Sequence, residues 1–214
     1  MDFMADSRCR FIAVTVLVVL VAVLASGCSG DGAASRCVTD DGTGETGDVE
    51  LVTVSPAEAK NLTVAEVLRR DERFTQFRKL AEETATAVTD SFMEAWDRPE
   101  DISGNKVWLT LFVPTDTAFE ALDAEVRAAW EEGRLDQAIR YGWIGHHGMD
   151  RAYPSSEFVE GVQSNDRGEP PVLTLDPLTF SGCPILQTDL LASNGYIHVV
   201  GGVGVPADVR AASE

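Results

Sequence analysis

The sequence predicts an α+β fold, with helices gathered in the first half and strands in the second. Three observations carry this. From Pro56 to Trp96 the large apolar residues recur every three or four positions, the period of a helix face. From Val107 to Val113 they alternate as in a strand, with apolar residues on the second face as well. From Val172 to Val200, short β-prone runs are separated by Asp176-Pro177 and Asn194-Gly195, both turn signals. Helices first and strands later is the order of an α+β protein rather than of alternating βα units.

Each element has its own reason. Folding is expected to start near Ser55-Pro56. Thr63 is placed to cap a helix through Val64, Val67 and Leu68, which makes the glycosylation-type triplet Asn61-Leu62-Thr63 a helix start. Phe74, Phe77, Leu80 and Ala81 form one helical stripe; Val88, Phe92 and Trp96 form another. Arg98 to Asn105 reads as a loop. In the strand, Val107, Leu109, Leu111 and Val113 share a face, and Trp108 and Phe112 make the other face apolar, so both sides should be buried. Pro114 stops it. Thr115 or Asp116 is expected to accept from the first-turn amides of the next helix, with Thr117 and Glu120 fitting a capping box. Phe119, Leu122, Val126 and Ala129, then Leu135, Ala138, Ile139 and Trp143, make two further stripes. Gly161 to Pro171 is a polar loop. Strands are expected at 172–175, 178–180, 185–191 and 196–200, with Asn194-Gly195 a tight turn at positive φ.

The 214 residues include 35 acidic and 17 basic side chains, a net charge of −18. That argues against nucleic-acid binding and against docking on anionic lipid, both of which need basic patches. The N-terminus is a targeting segment: Arg8 and Arg10, then an apolar run from Phe11 to Ala25 that is short for a membrane span. Leu24-Ala25-Ser26-Gly27-Cys28 resembles the lipobox of bacterial lipoproteins, which implies cleavage before Cys28 and acylation of its sulfur. Residues 1–27 are then a signal peptide, and the protein is lipid-anchored on the extracytoplasmic face of the cell membrane. Cys9 leaves with the signal and Cys28 carries lipid, so Cys37 and Cys183 remain to form a disulfide in an oxidising compartment. Residues 28–54, rich in Gly, Asp, Ser and Thr, read as a flexible acidic tether. The acidic cluster Asp40, Asp41, Glu45 and Asp48 lacks the ligand spacing of a calcium loop.

Two stretches form a recognisable pattern. Thr110-Leu-Phe-Val-Pro-Thr-Asp-Thr-Ala-Phe119 resembles the first signature of fasciclin domains, with Thr110, Phe112, Pro114, Thr115, Asp116 and Phe119 as its characteristic positions. Asn194 to Pro206 resembles the second, through Asn194, Gly195, His198 and Pro206, although Gly204 stands where an aliphatic residue is usual. Between them His147 falls where the family has a tyrosine-histidine pair, with His146 in place of the Tyr. The segment from Ala81 to Asn105 is longer than is common in the family. The resemblance spans residues 55–208, leaving 209–214 as a tail. It implies a β-sandwich-like wedge with N-terminal and central helices packed against it, and a role in extracellular adhesion.

Function is less legible. Phosphate loops, nucleophile elbows and zinc-protease helices are absent from the sequence, and no cofactor or metal is expected. His198, mid-strand, reads as a buried structural imidazole, and His147 mainly so. Zinc binding by His146-His147 with Cys183 or His198 would need a spacing these residues lack. The first expectation is a non-catalytic binding module for an envelope or extracellular protein or polysaccharide, using His147, Asp150, Tyr153 and Phe158 on the loops 145–158 and 161–171. The alternatives are a carrier with Trp108, Trp130, Trp143 and Phe158 around an apolar ligand, and a hydrolase using His147 and Asp150.

Overall fold

The computed structural model describes residues 51–100, 104–165 and 167–214, together with the backbone of residues 36–39, and these lie in one compact unit. The signal peptide and Cys28 fall outside the described residues.

Short helices come first. Helix α1 (Pro56–Ala59) and α2 (Val64–Arg70) each start with a capping box, from Ser55 with Glu58 and from Thr63 with Glu66. In each, a hydroxyl and a carboxylate together satisfy amides that the first turn leaves free. Helices α3 (Thr75–Glu82) and α4 (Phe92–Trp96) follow. The expected central strand, β2 (Leu109–Pro114), is buried along its whole length. Then come α5 (Asp116–Glu120), α6 (Ala124–Glu131) and α7 (Gln137–His146). The remaining strands are β3 (Gly148–Met149), β4 (Gly161–Val162), β5 (Val172–Leu175), β6 (Leu178–Phe180), β7 (Cys183–Ala192), β8 (Gly195–Val200) and β9 (Gly202–Val205), with α8 (Ala207–Ser213) last.

Among the described residues a mixed sheet runs β3-β2-β8-β7-β6-β5-β4. Strand β2 is parallel to β8 and antiparallel to β3. Because β2 is interior to the sheet, both of its faces can be covered, and they are. Leu109, Leu111 and Val113 join the larger core beneath the helices. Phe112 faces the other way and packs with Met149, Tyr153, Leu173, Phe180 and Val200. Trp108 departs from the expectation: it lies before the paired register, about a third exposed, beneath the Lys106 ammonium.

Several boundaries differ from those read in the sequence: Val88 lies before α4 and is exposed, the helix expected from Phe119 to Ala129 is broken into α5 and α6 by the cap at Asp123, and the expected loop 161–171 opens with β4. Within the stretch expected to be tether, Arg36–Thr39 forms strand β1, antiparallel to β9 and paired from Arg36 with Val205 to Thr39 with Gly202. Tether composition does not prevent backbone pairing to an existing edge. The body begins before Ser55, since Val54 is buried and its N–H donates to the Asp71 carboxylate at 3.0 Å. The expected tail, 209–214, is mostly helix α8, which packs on α6 and α7 and buries Val209 completely.

The tight turn falls on Ser193 and Asn194, one position earlier than expected, with Gly195 already in β8 opposite Ala192, and neither Asn194 nor Gly195 has positive φ. The residue types have other causes. A Cβ at Gly195 would overlap the Leu109 carbonyl across the β2–β8 pair. Asn194, wholly buried, accepts from the Val64 N–H at 2.9 Å and donates to the Trp96 carbonyl at 2.8 Å. It ties α2 and α4 to the hairpin.

Candidate functional site

The junction at Pro114 is a folding device. Thr115 is the N-cap of α5 and accepts from the Ala118 N–H, so the expected Thr117–Glu120 box is not the one used. Asp116 is also a cap, but for another helix. Its carboxylate accepts from the Gln76 N–H at 2.8 Å and from the Thr75 hydroxyl, at the start of α3, where Phe74 supplies no side-chain cap. The residue joins two elements that only the tertiary fold brings together.

The three histidines are interior bolts. His198 accepts from the Asp189 N–H at Nδ1 and donates from Nε2 to the Tyr153 carbonyl, at 3.1 and 2.9 Å. His146 Nδ1 donates to the Glu169 carbonyl at 2.7 Å, while Nε2 meets the Ser181 hydroxyl at 2.9 Å. His147 Nδ1 lies 2.8 Å from the Phe112 carbonyl and Nε2 lies 3.1 Å from that of Gly204. Burial pushes all three below the ordinary imidazole range, His147 to about 3, helped by its neighbour His146. A neutral imidazole donates from one nitrogen only. Since Trp143 Nε1 already donates to the Gly204 carbonyl, the shorter bond to Phe112 takes the His147 proton. The two departures from the fasciclin pattern prove to be one: a Cβ on Gly204 would lie 2.9 Å from His146 Nε2, so the absent side chain makes room for the imidazole.

These placements correct the expected site. His147 and Tyr153 are buried and cannot present themselves to a partner. Phe158 is half-buried against Phe112, Tyr153 and His198. Asp150 is exposed but pairs with Arg167 rather than with His147, so the residues considered for hydrolysis do not converge. Cys183 is disulfide-bonded, which removes it from any zinc set, and among the described residues no group of metal-ligating side chains is found. The four aromatics of the carrier reading separate. Trp130 and Trp143 belong to the core beneath the helices, Phe158 lies on the opposite side of β2, and Trp108 is at the surface.

What the loops do build is a cleft around Arg167. The backbone of Arg167 and Gly168 lies directly on α7, at Gly145 and Gly142. Asn165 donates to the Gly145 carbonyl at 2.7 Å and accepts from the Arg167 N–H at 2.8 Å. A Cβ on Gly145 would lie 2.8 Å from the Arg167 carbonyl oxygen, and one on Gly168 would lie 2.8 Å from that of Gly142. The guanidinium ion-pairs with Asp150 and lies 5.9 Å from the centre of the Phe92 ring. On one side is a polar depression of about 260 Å³ lined by Gly148, Met149, Ser164 and Asn165. On the other is a hollow of about 330 Å³ lined by Ala95, Trp96, Val107 and Leu109, with Val88, Arg98 and Glu100 beside Asp150 and Arg167 around it. Arg167, Gly142 and Gly145 were not singled out from the sequence. The available signal was a pair of glycines one turn apart in a predicted helix, where each weakens the helix unless a close approach requires it.

An interior strand packed on both faces, with helices on one side and histidine-bolted loops on the other, defines a two-sided α+β domain. The profile of the Fasciclin domain matches residues 72–206, and the chain belongs to that family. Among solved structures it is similar to the FAS1 domain pair of the insect cell adhesion molecule fasciclin I. The TM-score is 0.54 and the identity 14%, over 70% of this chain and 53% of that one. The chain thus spans about half the length of that two-domain structure, and the likeness is one of fold. No curated protein matches.

Proposed function

We propose that the chain is a lipid-anchored, non-catalytic adhesion module on the extracytoplasmic face of a bacterial membrane, binding an envelope or extracellular protein or polysaccharide. Membership of the fasciclin domain family is the observation that carries this reading. The lipobox-like Cys28 supports the anchor. Cys183 is disulfide-bonded, and β1, which contains Cys37, lies against β7, which begins at Cys183; both facts support the Cys37–Cys183 pairing. With β1 held to the body, only residues 29–35 separate the lipid from the fold. At roughly 3.5 Å per extended residue the domain stands no more than about 25 Å from its anchor.

The test is to express the full chain in a bacterium with lipoprotein processing. Mass spectrometry should find diacylglyceryl on Cys28, and Cys28→Ala should move the protein from the detergent phase to the aqueous phase. Captured partners are then compared between the full chain and one in which the exposed loop residues Arg151, Ser156 and Glu157 are replaced. Unmodified Cys28 would end the anchoring claim, and equal capture by both chains would end the claim for the loop surface.

A further inference from the structure

We propose that the cleft at Arg167 docks an extended segment of a partner polypeptide, one carrying a carboxylate beside an aliphatic side chain. The inference rests on the adhesion-module reading and names the chemistry its partner would present.

Four features support it. First, the hollow is large enough for two or three side chains, and at its rim Val88 is 71% exposed, an arrangement that leaves apolar surface in water. Second, the rim sets Arg98 and Arg167 beside Glu100 and Asp150, and both guanidiniums keep unused donors. Arg98 is bonded through Nη2 to Glu94 and Arg167 through Nη2 to Asp150, while the Nε and Nη1 groups of both have no hydrogen bond among the described residues. A planar guanidinium with N–H groups to spare matches a carboxylate in two-point geometry. Third, Arg167 is preorganised. Its backbone is pinned to the glycines of α7 and to Asn165, so little freedom is lost on binding. Fourth, the polar depression on the far side of Arg167 is lined by β3, the terminal strand of the sheet, whose two residues are otherwise buried. A sheet edge offers main-chain groups to another extended chain.

These features have a direction. An extended segment would set its aliphatic side chain on Val88 and Trp96, place its carboxylate on Arg167, and run its main chain beside Gly148 and Met149. Asp150 holds the guanidinium while the cleft is empty and is displaced by the incoming carboxylate. The segment 81–105, longer than is common in the family, supplies Val88, Ala95, Trp96 and Arg98 to this surface. The overall charge of −18 repels an acidic partner at long range, so recognition here is short-ranged and survives physiological salt.

The probe is a fluorescein-labelled, capped heptapeptide with one glutamate between two leucines, titrated with the full chain in non-ionic detergent and read by anisotropy. A matched probe carries glutamine. Expected results are at least tenfold tighter binding of the glutamate probe, a tenfold or greater loss with Arg167→Met, and a several-fold gain with Asp150→Asn. The gain cannot come from misfolding. Equal binding of the two probes, no binding at millimolar protein, or weaker binding with Asp150→Asn would overturn the proposal. Displacement by octanoate without any peptide binding would also overturn it, because the occupant would then be a free amphiphile. If the glutamate probe binds as expected but the anchored chain captures no partner, the adhesion reading fails and the cleft stands. Capture that persists in Arg167→Met removes the cleft and leaves the adhesion reading intact.

Discussion

Gly145→Ala tests the close approach that builds the Arg167 cleft. In an open helix, replacing Gly by Ala stabilises by up to ~1 kcal/mol, because Gly loses more backbone freedom on folding. Here the new methyl would sit 2.8 Å from the Arg167 carbonyl oxygen and closer still to the Arg167 Cβ. Neither atom belongs to the movable end of a side chain. Asn165, which donates to the Gly145 carbonyl, and Arg167 must lift off α7. Overpacking of this kind costs about 1–3 kcal/mol and exceeds the propensity gain. The expected net is a loss of about 1–2 kcal/mol, or about 2–8 °C in Tm for a domain of this size. Thermal and urea unfolding followed by circular dichroism would measure it. The decisive quantity is the sign: a variant more stable than the parent would refute the packing of Arg167 on α7.

Three further outcomes are expected. Acid should weaken the fold: the three histidines are held neutral by burial, so below their ordinary value of 6.5 the unfolded chain takes up protons that the folded chain refuses. Their stabilisation is complete above that pH and is lost as pH falls, for His147 until about 3, with a slope near 1.4 kcal/mol per unit for each fully neutral group. Identical urea midpoints at pH 7.5 and pH 5 would contradict this. Asp116→Ala should cost about 1–2 kcal/mol by uncapping α3, and protection of the Gln76 amide from hydrogen exchange should fall with it; unchanged protection would remove the capping role. Asn194→Ala should cost about 2–3 kcal/mol, since it leaves the Val64 N–H and the Trp96 carbonyl without their buried partner, whereas a loss below about 0.5 kcal/mol would show that the turn tolerates any residue.

Sequence reasoning reached the family, the α+β class, the two-sided burial of β2, the Thr63 cap and the structural nature of His198. All of these are local: a period, a capping residue, an apolar run beside a proline. It missed the partners of polar side chains, because those are chosen by elements far apart in the chain. Asp116 looks like the cap of its own helix and serves α3, 40 positions back. Asn194 looks like a positive-φ turn residue and ties down two helices.

Sequence alone determined the main helices and strands between Ser55 and Val200 and which of their faces are apolar, since those follow from side-chain period and turn chemistry; strands β1 and β4 and helix α8, which form against elements already in place, it did not. Only the tertiary structure decided the surface. It buried His147 and Tyr153 and brought Asp150 to Arg167. It also set residues 88–100 beside Asp150 and Arg167, because glycines on α7 allow one backbone to lie directly on another. Surface sites are assembled from loops whose order in space follows the packing of the core beneath them, and no local pattern in the chain records that order.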